Sequence, residues 1–266
     1  MHSRGEGRRA PGTEAVSVCL PARNEEATVG RIVRTIGRDL VDTGLVDEIL
    51  VVDDGSTDRT AEVSRAAGAR VVAADGSEPG ASAGKGCAMR TGLAASSGDI
   101  IVYCDADVRN FGAHFVTRLL EPLEDPATVF VKGYYQRPLH DDPHGGGRVT
   151  ELVAKPLISL LFPHLAHIRQ PLAGECAGRR DALETLSFAS GYAVDLALVI
   201  DLSETYGVGA IAQADLGVRV HRNRELDQLS AQSRSIISMV LDRAGFDLDL
   251  DLRRRDEAAG SIRLPG

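Results

Sequence analysis

Two aspartates separated by one residue, Asp105 and Asp107, follow the apolar run of residues 100–104. Side chains at positions i and i+2 of an extended chain point to the same side, so both carboxylates can reach one point. Hard carboxylate oxygens at the end of a strand suit Mg²⁺ or Mn²⁺ bridging a diphosphate. A solvated turn is the alternative, because the same spacing occurs twice within residues 247–251. The position after a strand favours a metal site.

A second acidic pair, Asp53 and Asp54, also follows an apolar run and opens a turn. A carboxylate at a strand end can accept hydrogen bonds from a base N–H or a ribose hydroxyl, as in dinucleotide-binding folds. A turn with a helix cap is an equal alternative, because residues 56–58 are Ser, Thr and Asp, which are good capping residues.

Two glycine-rich segments could bind anions. Lys85 lies between two glycines, which allow the backbone to approach a phosphate while the lysine supplies a charge. The glycine run that ends at Gly147 precedes Arg148 and Thr150 at the start of a predicted helix, where free backbone N–H groups and a guanidinium would attract carboxylate or phosphate. Flexible loops with exposed cationic side chains remain the alternative for both segments.

His221 follows a short predicted strand over residues 217–220 and precedes Arg222 and Asn223. A lone histidine is more often structural than a metal ligand. If His221 faces Asp105 and Asp107, it completes a mixed nitrogen–oxygen metal shell.

Alternating strands and helices must position these residues. The apolar runs predict strands at 15–20 (ended by Pro21), 48–52, 70–73 and 99–104, with a helix capped by Asn24, one ending near Gly68 and one at 87–95. This alternation predicts an α/β fold with a mostly parallel sheet, in which ligands bind beyond the carboxyl ends of the strands. The later segments predict a strand at 129–135, a helix from Val149 and a loop at 171–178. They also predict three helices, at 180–187, at 192–206 and at about 226–240.

Composition excludes several classes of function. The 266-residue chain has a formal net charge of −8, whereas nucleic-acid binders normally carry a basic patch. No apolar run is long enough to span a membrane, and the first residues lack the apolar segment of a signal peptide. Four scattered cysteines predict buried thiols in a reducing cytoplasm. Because the net charge of the chain is negative, an anionic ligand would need a local positive charge at its binding site.

The ordered motifs over residues 20–26, 51–58 and 105–107 resemble those of GT-A glycosyltransferases. Residues 146–152, 171–175 and 221–223 are similar to the glucosyl-3-phosphoglycerate synthase family of retaining enzymes, and the resemblance covers roughly residues 15–245. It implies a GT-A type, Rossmann-like, mostly parallel sheet flanked by helices, with a C-terminal acceptor-binding subdomain. We expect a disordered tail at 1–14, a nucleotide-sugar-binding half at 15–125, an acceptor-binding half at 126–245 and a mobile tail at 246–266.

The resemblance also implies residue roles. The nucleotide-sugar-binding residues would be Pro21, Ala22, Arg23, Glu25, Asp53, Asp54, Lys85, Asp105 and Ala106. The acceptor-binding residues would be Gly147, Arg148, Thr150 and Asn223, and the metal ligands Asp107 and His221. Asp195, Glu175 and Lys85 are the candidate catalytic residues. The chain departs from the family pattern by having Ala106 in place of a serine, Asp195 in place of a glutamate and Cys176 in place of a tyrosine.

The expected reaction is a transfer of glucose from UDP-glucose to the 2-hydroxyl of 3-phosphoglycerate, dependent on Mg²⁺ or Mn²⁺ and with retained anomeric configuration. Front-face attack assisted by the leaving diphosphate is the expected mechanism. A family-2-type inverting glycosyltransferase with another acceptor and a sugar-nucleotidyltransferase remain alternatives. We expect a cytoplasmic homodimer whose partners are a nucleoside-diphosphate sugar and a small phosphorylated acceptor, with no nucleic acid and no membrane among them.

Overall fold

The computed structural model describes residues 14–137, 147–220 and 226–246, the first three residues of the last range as backbone only. The predicted tails at 1–14 and 246–266 lie outside these ranges apart from residues 14 and 246. His221 and Asn223 also lie outside the described residues.

Among the described residues, seven strands form one sheet in the order β3-β2-β1-β4-β6-β5-β7. In chain order they are β1 Val16–Ala22, β2 Glu48–Asp53, β3 Arg70–Ala73, β4 Ile100–Tyr103, β5 Phe130–Gln136, β6 Cys176–Arg179 and β7 Ile211–Val218. Among these strands only β6 runs antiparallel to its neighbours, β4 and β5. Because β7 pairs with β5 in parallel, six strands end at the same edge of the sheet. The prediction of a mostly parallel sheet is confirmed.

Both faces of the sheet are buried, which explains the continuous apolar runs. Val18 and Leu20 of β1 pack into the core on one face, and Cys19 between them packs into the core on the other. In β4, Ile101 and Val102 divide in the same way. Strand side chains alternate between faces, so a strand covered on both sides needs apolar residues at every position.

In the described ranges, eight α-helices cover the sheet and its ends. They are α1 Val29–Ile36, α2 Thr60–Ala66, α3 Lys85–Ala95, α4 His114–Leu120, α5 Lys155–Leu161, α6 Arg180–Glu184, α7 Val194–Tyr206 and α8 Leu226–Arg243. Helix α7 is apolar around its whole circumference, and residues 194–200 are all buried. A helix of this kind belongs in the interior, so Asp195 in its first turn is carried into the interior with it.

The first loop differs from the sequence prediction. Strand β1 continues through Pro21 to Ala22. Beyond Cys19 it pairs with β2 but no longer with β4, so one side of the strand is an edge. Proline, which has no backbone N–H, is tolerated at such an edge. Helix α1 begins at Val29, so Asn24 does not cap it. Asn24 instead has a φ of 56°, a left-handed conformation that asparagine tolerates better than most residues.

Three elements of the later chain also differ. Strand β6 begins within the predicted loop at 171–178 and ends at Arg179, β7 begins at Ile211 rather than at 217, and α4 lies where no element was predicted. Strand β6 has four residues and ends in a glycine and an arginine, so it shows no alternation that a pattern could detect.

The two predicted halves share this one sheet. Strands β1–β4 come from residues 15–125 and β5–β7 come from residues 126–245. The division into a nucleotide-sugar-binding half and an acceptor-binding half stays a prediction. Of the helices in the described part of the chain, none has both the length and the apolar content needed to cross a bilayer.

Candidate active site

A cavity of about 670 Å³ opens at the edge of the sheet where β1, β2 and β4 end. Residues that follow β1, β4, β5 and β7 line it, which is where ligands bind in open α/β sheets. Most of the predicted site residues line this cavity, namely Pro21, Ala22, Arg23, Glu25, Asp54, Lys85, Asp105, Ala106, Asp107, Gly147, Arg148, Thr150 and Asp195.

Two described residues among the predicted set do not line the cavity. Asp53 accepts a hydrogen bond from the Ser56 N–H at 3.1 Å, which closes the turn after β2. Glu175 is fully buried and contacts Arg219, whose side chain does line the cavity. The predicted metal ligand His221 and the predicted acceptor-binding residue Asn223 have no described position.

Lys85, in the first turn of α3, pairs with two carboxylates inside the cavity. Its Nζ lies 3.0 Å from Asp105 Oδ1 and 2.9 Å from Asp195 Oδ2. Burial disfavours the ammonium charge, but the two carboxylates outweigh this effect and hold the pKa of Lys85 well above its usual value. Lys85 therefore stays charged at neutral pH and joins the end of β4 to the start of α7.

Arg219, the first residue after β7, places one nitrogen between the two aspartates of the Asp-Ala-Asp motif. Its Nη2 lies 2.8 Å from Asp105 Oδ2 and 2.7 Å from Asp107 Oδ1. Both carboxylates therefore converge on one positively charged point, as a divalent cation would require. The oxygen donors are of the type that Mg²⁺ and Mn²⁺ prefer, so the residues present fit such an ion.

The described residues alone do not complete a metal shell. Within them, no group of three or more His, Cys, Asp or Glu side chains is arranged to hold an ion. A third protein ligand would have to come from outside the described ranges, where the predicted ligand His221 belongs.

Two neighbouring cations, Lys85 and Arg219, keep the Asp105 carboxyl ionised. Burial alone would raise the pKa of Asp105, but Lys85 and Arg219 outweigh burial and hold that pKa well below its usual range. Asp105 is therefore ionised at neutral pH. Its two oxygens are divided between Lys85 and Arg219.

Behind the cavity, Glu175 and Tyr135 support Arg219. Arg219 Nη1 donates to the Tyr135 hydroxyl oxygen at 2.6 Å and lies 3.3 Å from Glu175 Oε2. Burial raises the pKa of Glu175, and Arg219 opposes this effect only in part. Burial also raises the pKa of Tyr135 to about 12, so its phenol stays neutral.

A glycine next to the motif gives Asp105 its space. A Cβ on Gly174 would overlap the Asp105 carboxylate. The segment that contains Gly174 and Glu175 leads into β6, whose reversed direction brings its amino end to the ligand edge of the sheet. Glycine is therefore required at this position for steric reasons.

Asp54 orders the loop that precedes α3. Its carboxylate accepts hydrogen bonds from the Ser82 hydroxyl, from the Ala83 N–H at 2.7 Å and from the Gly84 N–H at 3.1 Å. Asp54 is buried and lines the cavity, so the loop it shapes carries Lys85 into place.

Hydrogen bonds also join the loops after β1 and β2. The Asn24 side-chain oxygen accepts from the Thr57 N–H at 2.8 Å, and the Asn24 N–H donates to Ser56 Oγ at 3.0 Å. Arg23 donates to the Gly80 carbonyl oxygen at 3.1 Å. These contacts fix the segment at 21–25 that the sequence assigned to nucleotide binding.

The predicted anion-binding segment is helical. Residues 148–161 are continuously helical, beginning after Gly147, whose φ is 82°. The Glu151 N–H donates to the Gly147 carbonyl oxygen at 3.1 Å, and Thr150 is buried against the cavity. The first backbone N–H groups of a helix have no partner within it, so they can bind an anion. The acceptor-binding role of this segment stays a prediction.

The sequence analysis missed three side chains that contact the candidate site residues: Arg219, Tyr135 and Lys132. Lys132 in β5 is only 1% exposed, and its Nζ donates to the Asp195 backbone oxygen at 2.8 Å. A charged residue inside an apolar strand is almost never buried unless it is paired. That signal was present at Lys132 and at Arg219.

Comparisons with known proteins agree with this geometry. The profile described as Glycosyl transferase family 2 matches residues 17–187. A glucosyl-3-phosphoglycerate synthase from Mycolicibacterium smegmatis is 47% identical over 244 residues, which are 89% of this chain and 80% of that protein. The corresponding enzyme from Petrotoga mobilis is 42% identical over 245 residues, 89% of this chain and 75% of that protein.

Solved structures show the same likeness. Glucosyl-3-phosphoglycerate synthase from Mycobacterium tuberculosis in complex with Mn²⁺, UDP-glucose and phosphoglyceric acid is 46% identical, with a TM-score of 0.80 over 88% of this chain and 81% of that one. Its complex with Mn²⁺, UDP-glucose and glycerol 3-phosphate has a TM-score of 0.79 and 45% identity over the same shares. The predicted GT-A fold is confirmed. The chain therefore belongs to glycosyl transferase family 2 and to the glucosyl-3-phosphoglycerate synthase family.

Proposed function

We propose that this chain transfers glucose from UDP-glucose to the 2-hydroxyl of 3-phosphoglycerate, with Mg²⁺ or Mn²⁺ and with retained anomeric configuration. The observation that carries the proposal is the convergence of Asp105 and Asp107 on one cationic nitrogen inside the cavity. The relatives named glucosyl-3-phosphoglycerate synthase support the choice of donor and acceptor.

The donor occupies the part of the cavity at the carboxyl ends of β1, β2 and β4. The segment at 21–25 and the turn at 53–54 bind the uridine, and Asp105 with Ala106 binds the ribose. The rigid hydrogen-bonded loops after β1 and β2 support this role, because a preorganised site loses less entropy when ligand binds.

Asp107 and His221 would hold the metal ion. When bound, Mg²⁺ or Mn²⁺ neutralises negative charge on the departing diphosphate. Lys85 and Arg219 add two further positive charges at the same place, and charged donors aimed at developing negative charge stabilise a transition state.

The acceptor occupies the other half of the cavity. Gly147, Arg148, Thr150 and Asn223 bind its anionic groups and so orient its 2-hydroxyl toward the anomeric carbon. Fixing two reactants in one geometry converts a bimolecular encounter into an oriented one.

Asp195 and Glu175 act by position in this proposal. Asp195 is paired with Lys85, which supports a role in holding the sugar and the lysine rather than attack on the anomeric carbon. Glu175 touches the cavity only through Arg219, so it is a positioning residue for that guanidinium. Attack then occurs on the front face, where the leaving diphosphate accepts the proton of the acceptor hydroxyl.

Two further parts of the proposal concern assembly and location. A homodimer is supported by Leu152 and Leu160, which are each 76% exposed on the helical segment 148–161. A cytoplasmic location is supported by the four free thiols, three of which are buried.

A donor panel with 3-phosphoglycerate tests the reaction. Released nucleoside diphosphate is measured with each donor, with and without EDTA, and then after Mn²⁺ is restored. We expect UDP release with UDP-glucose that EDTA abolishes and Mn²⁺ recovers. Release of pyrophosphate would indicate a nucleotidyltransferase, and transfer that is insensitive to EDTA would contradict the role of Asp107. NMR of the product separates retention (α-linkage) from inversion (β-linkage).

A further inference from the structure

Lys132, in β5, carries a positive charge into the apolar interior behind the cavity. Its side chain is only 1% exposed, and it does not line the cavity. Its antiparallel partner on β6 is Cys176, and burial raises the pKa of that thiol to about 12, so the thiol is neutral and does not balance the charge. Because a buried lysine needs a partner, the partner of Lys132 must come from another element.

The start of α7 supplies that partner. Lys132 Nζ donates to the Asp195 backbone oxygen at 2.8 Å and lies 3.9 Å from Asp195 Oδ1. Among the described carboxylates, only that of Asp195 lies within ion-pair distance of Lys132. Lys85 contacts the same carboxylate, at 2.9 Å from Oδ2. One carboxylate at the cavity wall is therefore shared by two lysines, of which Lys85 lines the cavity and Lys132 lies behind it.

The first turn of α7 has no side-chain cap to fix it. Ala193 precedes the helix and makes no capping bond from its side chain. The segment before the helix packs directly on the start of α3, where a Cβ on Gly86 would overlap the Ala189 carbonyl oxygen. Lys132 adds a hydrogen bond from the sheet to the first turn itself, so it fixes where Asp195 stands relative to β5.

Stability alone does not account for a charge at this position. The preceding residues of β5, Phe130 and Val131, are apolar and fully buried, and replacing a buried ion pair by apolar residues of similar volume is often neutral or stabilising. A hydrogen bond has a preferred direction, so it fixes a helix turn more narrowly than apolar packing does. Lys132 spends that direction on a residue of the cavity, which indicates a role in the site.

Resting on the proposed function, we propose that Lys132 is a positioning residue for the transferred sugar. It holds the Asp195 carboxylate, and through it Lys85, in the geometry that transfer requires. Asp195 lies at the start of α7, whereas the segments proposed to bind uridine follow β1 and β2. Loss of Lys132 therefore lowers turnover and the extra affinity that the sugar gives to the donor, and leaves the affinity for UDP nearly unchanged.

Lys132→Met removes the charge and keeps an unbranched side chain that suits a buried strand. Because a misplacement of about 1 Å can cost about 100-fold in rate, we expect kcat for glucose transfer to fall about 10- to 100-fold. Titration calorimetry with Mn²⁺ measures the affinities for UDP-glucose and UDP. We expect their ratio to fall about 3- to 10-fold, while the dissociation constant for UDP changes less than about 3-fold. Lys132→Gln keeps an N–H donor without the charge and should lose less activity.

Arg179→Met is the matched control. Arg179 is also a cation of the sheet that donates to backbone oxygens, those of Leu123 at 2.8 Å and Thr128 at 3.0 Å. It lies at the other end of β6 from Cys176 and outside the cavity. Its loss should lower the free energy of unfolding without changing kcat.

A double variant asks whether Lys132 acts through Asp195. In Asp195→Ala there is no carboxylate to position, so adding Lys132→Met should change kcat less than about 2-fold. A purely structural role of Lys132 would instead give the same fold-loss in both backgrounds.

Three outcomes would overturn the inference. They are an unchanged kcat in folded Lys132→Met, equal weakening of UDP and UDP-glucose, and losses that multiply in the double variant. If Lys132→Met does not fold, Lys132→Gln makes the same three comparisons, with smaller losses expected.

Glucose transfer by the wild type is measured separately, so the two proposals can fail separately. If the wild type binds UDP-glucose more tightly than UDP but does not glucosylate 3-phosphoglycerate, the proposed function fails, and the affinity ratio in Lys132→Met still decides the role of Lys132. If the wild type transfers glucose but binds UDP-glucose no more tightly than UDP, the inference about the sugar is overturned and the proposed function stands.

Discussion

Lys85 and Asp195 form an ion pair of 2.9 Å in which the side chains are only 12% and 4% exposed. The lysine comes from the start of α3 and the aspartate from the start of α7, 110 residues later in the chain. Lys132 Nζ donates to the backbone oxygen of the same aspartate. The first turn of α7 is therefore held from two sides at the wall of the cavity.

Replacing Asp195 tests whether this pair positions the reaction. We expect Asp195→Asn to lower kcat about 100-fold, because Lys85 loses one of its two carboxylates and shifts, while the dissociation constant for UDP changes less than about 3-fold. Asp195→Glu restores the carboxylate and should recover most of the activity. Kinetics with UDP-glucose and 3-phosphoglycerate, together with UDP titration, measure both effects.

Asp201→Asn is the matched control for this experiment. Asp201 lies on the same helix and pairs with Arg243 at 2.7 Å, outside the cavity, so kcat should not change. A glycosyl–enzyme adduct trapped in Asp195→Ala and detected by mass spectrometry would contradict front-face attack.

Arg219→Met should reduce the stability of the fold. The change leaves three carboxylates, two at the cavity and Glu175 behind it, without their shared guanidinium. Breaking a buried ion pair on one side costs about 3–5 kcal/mol. Chemical denaturation should show a fall of that size in the free energy of unfolding.

A second change distinguishes this cause from lost packing. Adding Glu175→Gln to Arg219→Met removes the buried unpaired charge and should recover about 1–2 kcal/mol. If the two losses simply add, the argument from unpaired charge is wrong.

Gly174→Ala should displace the Asp105 carboxylate. Because the new methyl group would occupy the position of that carboxylate, we expect kcat/KM to fall about 100-fold and the affinity for UDP to weaken. Gly209→Ala is the control, because a Cβ there meets nothing within 4 Å and the residue lies far along the chain in a short 3₁₀ turn. Equal activity of both variants would show that Asp105 tolerates displacement.

Glu48 should make stability depend on acidic pH. Burial would raise its pKa, but hydrogen bonds from Ser17, Arg70 and Ser97 outweigh burial and lower it below the usual value of 4.5. The unfolded chain then binds the proton more readily, so this contribution is fully present above about pH 5.5 and is lost as pH falls through the lowered pKa.

Comparison of wild type with Glu48→Gln measures that contribution. The difference in free energy of unfolding should be about 1 kcal/mol at pH 7 and should shrink as pH falls through the lowered pKa of Glu48. Glu62→Gln on α2 is an exposed control that should leave the pH profile unchanged. A difference that stays constant with pH would contradict the assignment.

The first half of the sheet and its ligand edge were predictable because both depend on local pattern. Buried parallel strands read as apolar runs, and residues directly after such runs must lie at one edge of the sheet. Asp105 and Asp107 could therefore be placed together from the sequence alone. For Lys85 the flanking glycines predicted only contact with a phosphate, and its nearness to Asp105 is seen in the structure.

The remaining features depend on pairing between distant segments. Arg219 reaches Asp107 only because β7 pairs with β5, more than 75 residues earlier in the chain. The reversed direction of β6 cannot be seen in four residues, so the site role of Gly174 and the buried position of Glu175 were not visible either. The carboxylate pairing of Lys85 with Asp195 likewise required the packing of α7.

The strand order has a consequence for how the chain folds. Strands β1–β4 lie within residues 16–103 and pair with one another, so this half of the sheet can form early as the chain is synthesised from its amino end. One edge of β4 stays unpaired until β6, more than 70 residues later in the chain, has been synthesised. Unpaired strand edges associate readily with other chains. We therefore expect aggregation to compete with folding at the step in which β6 pairs with β4.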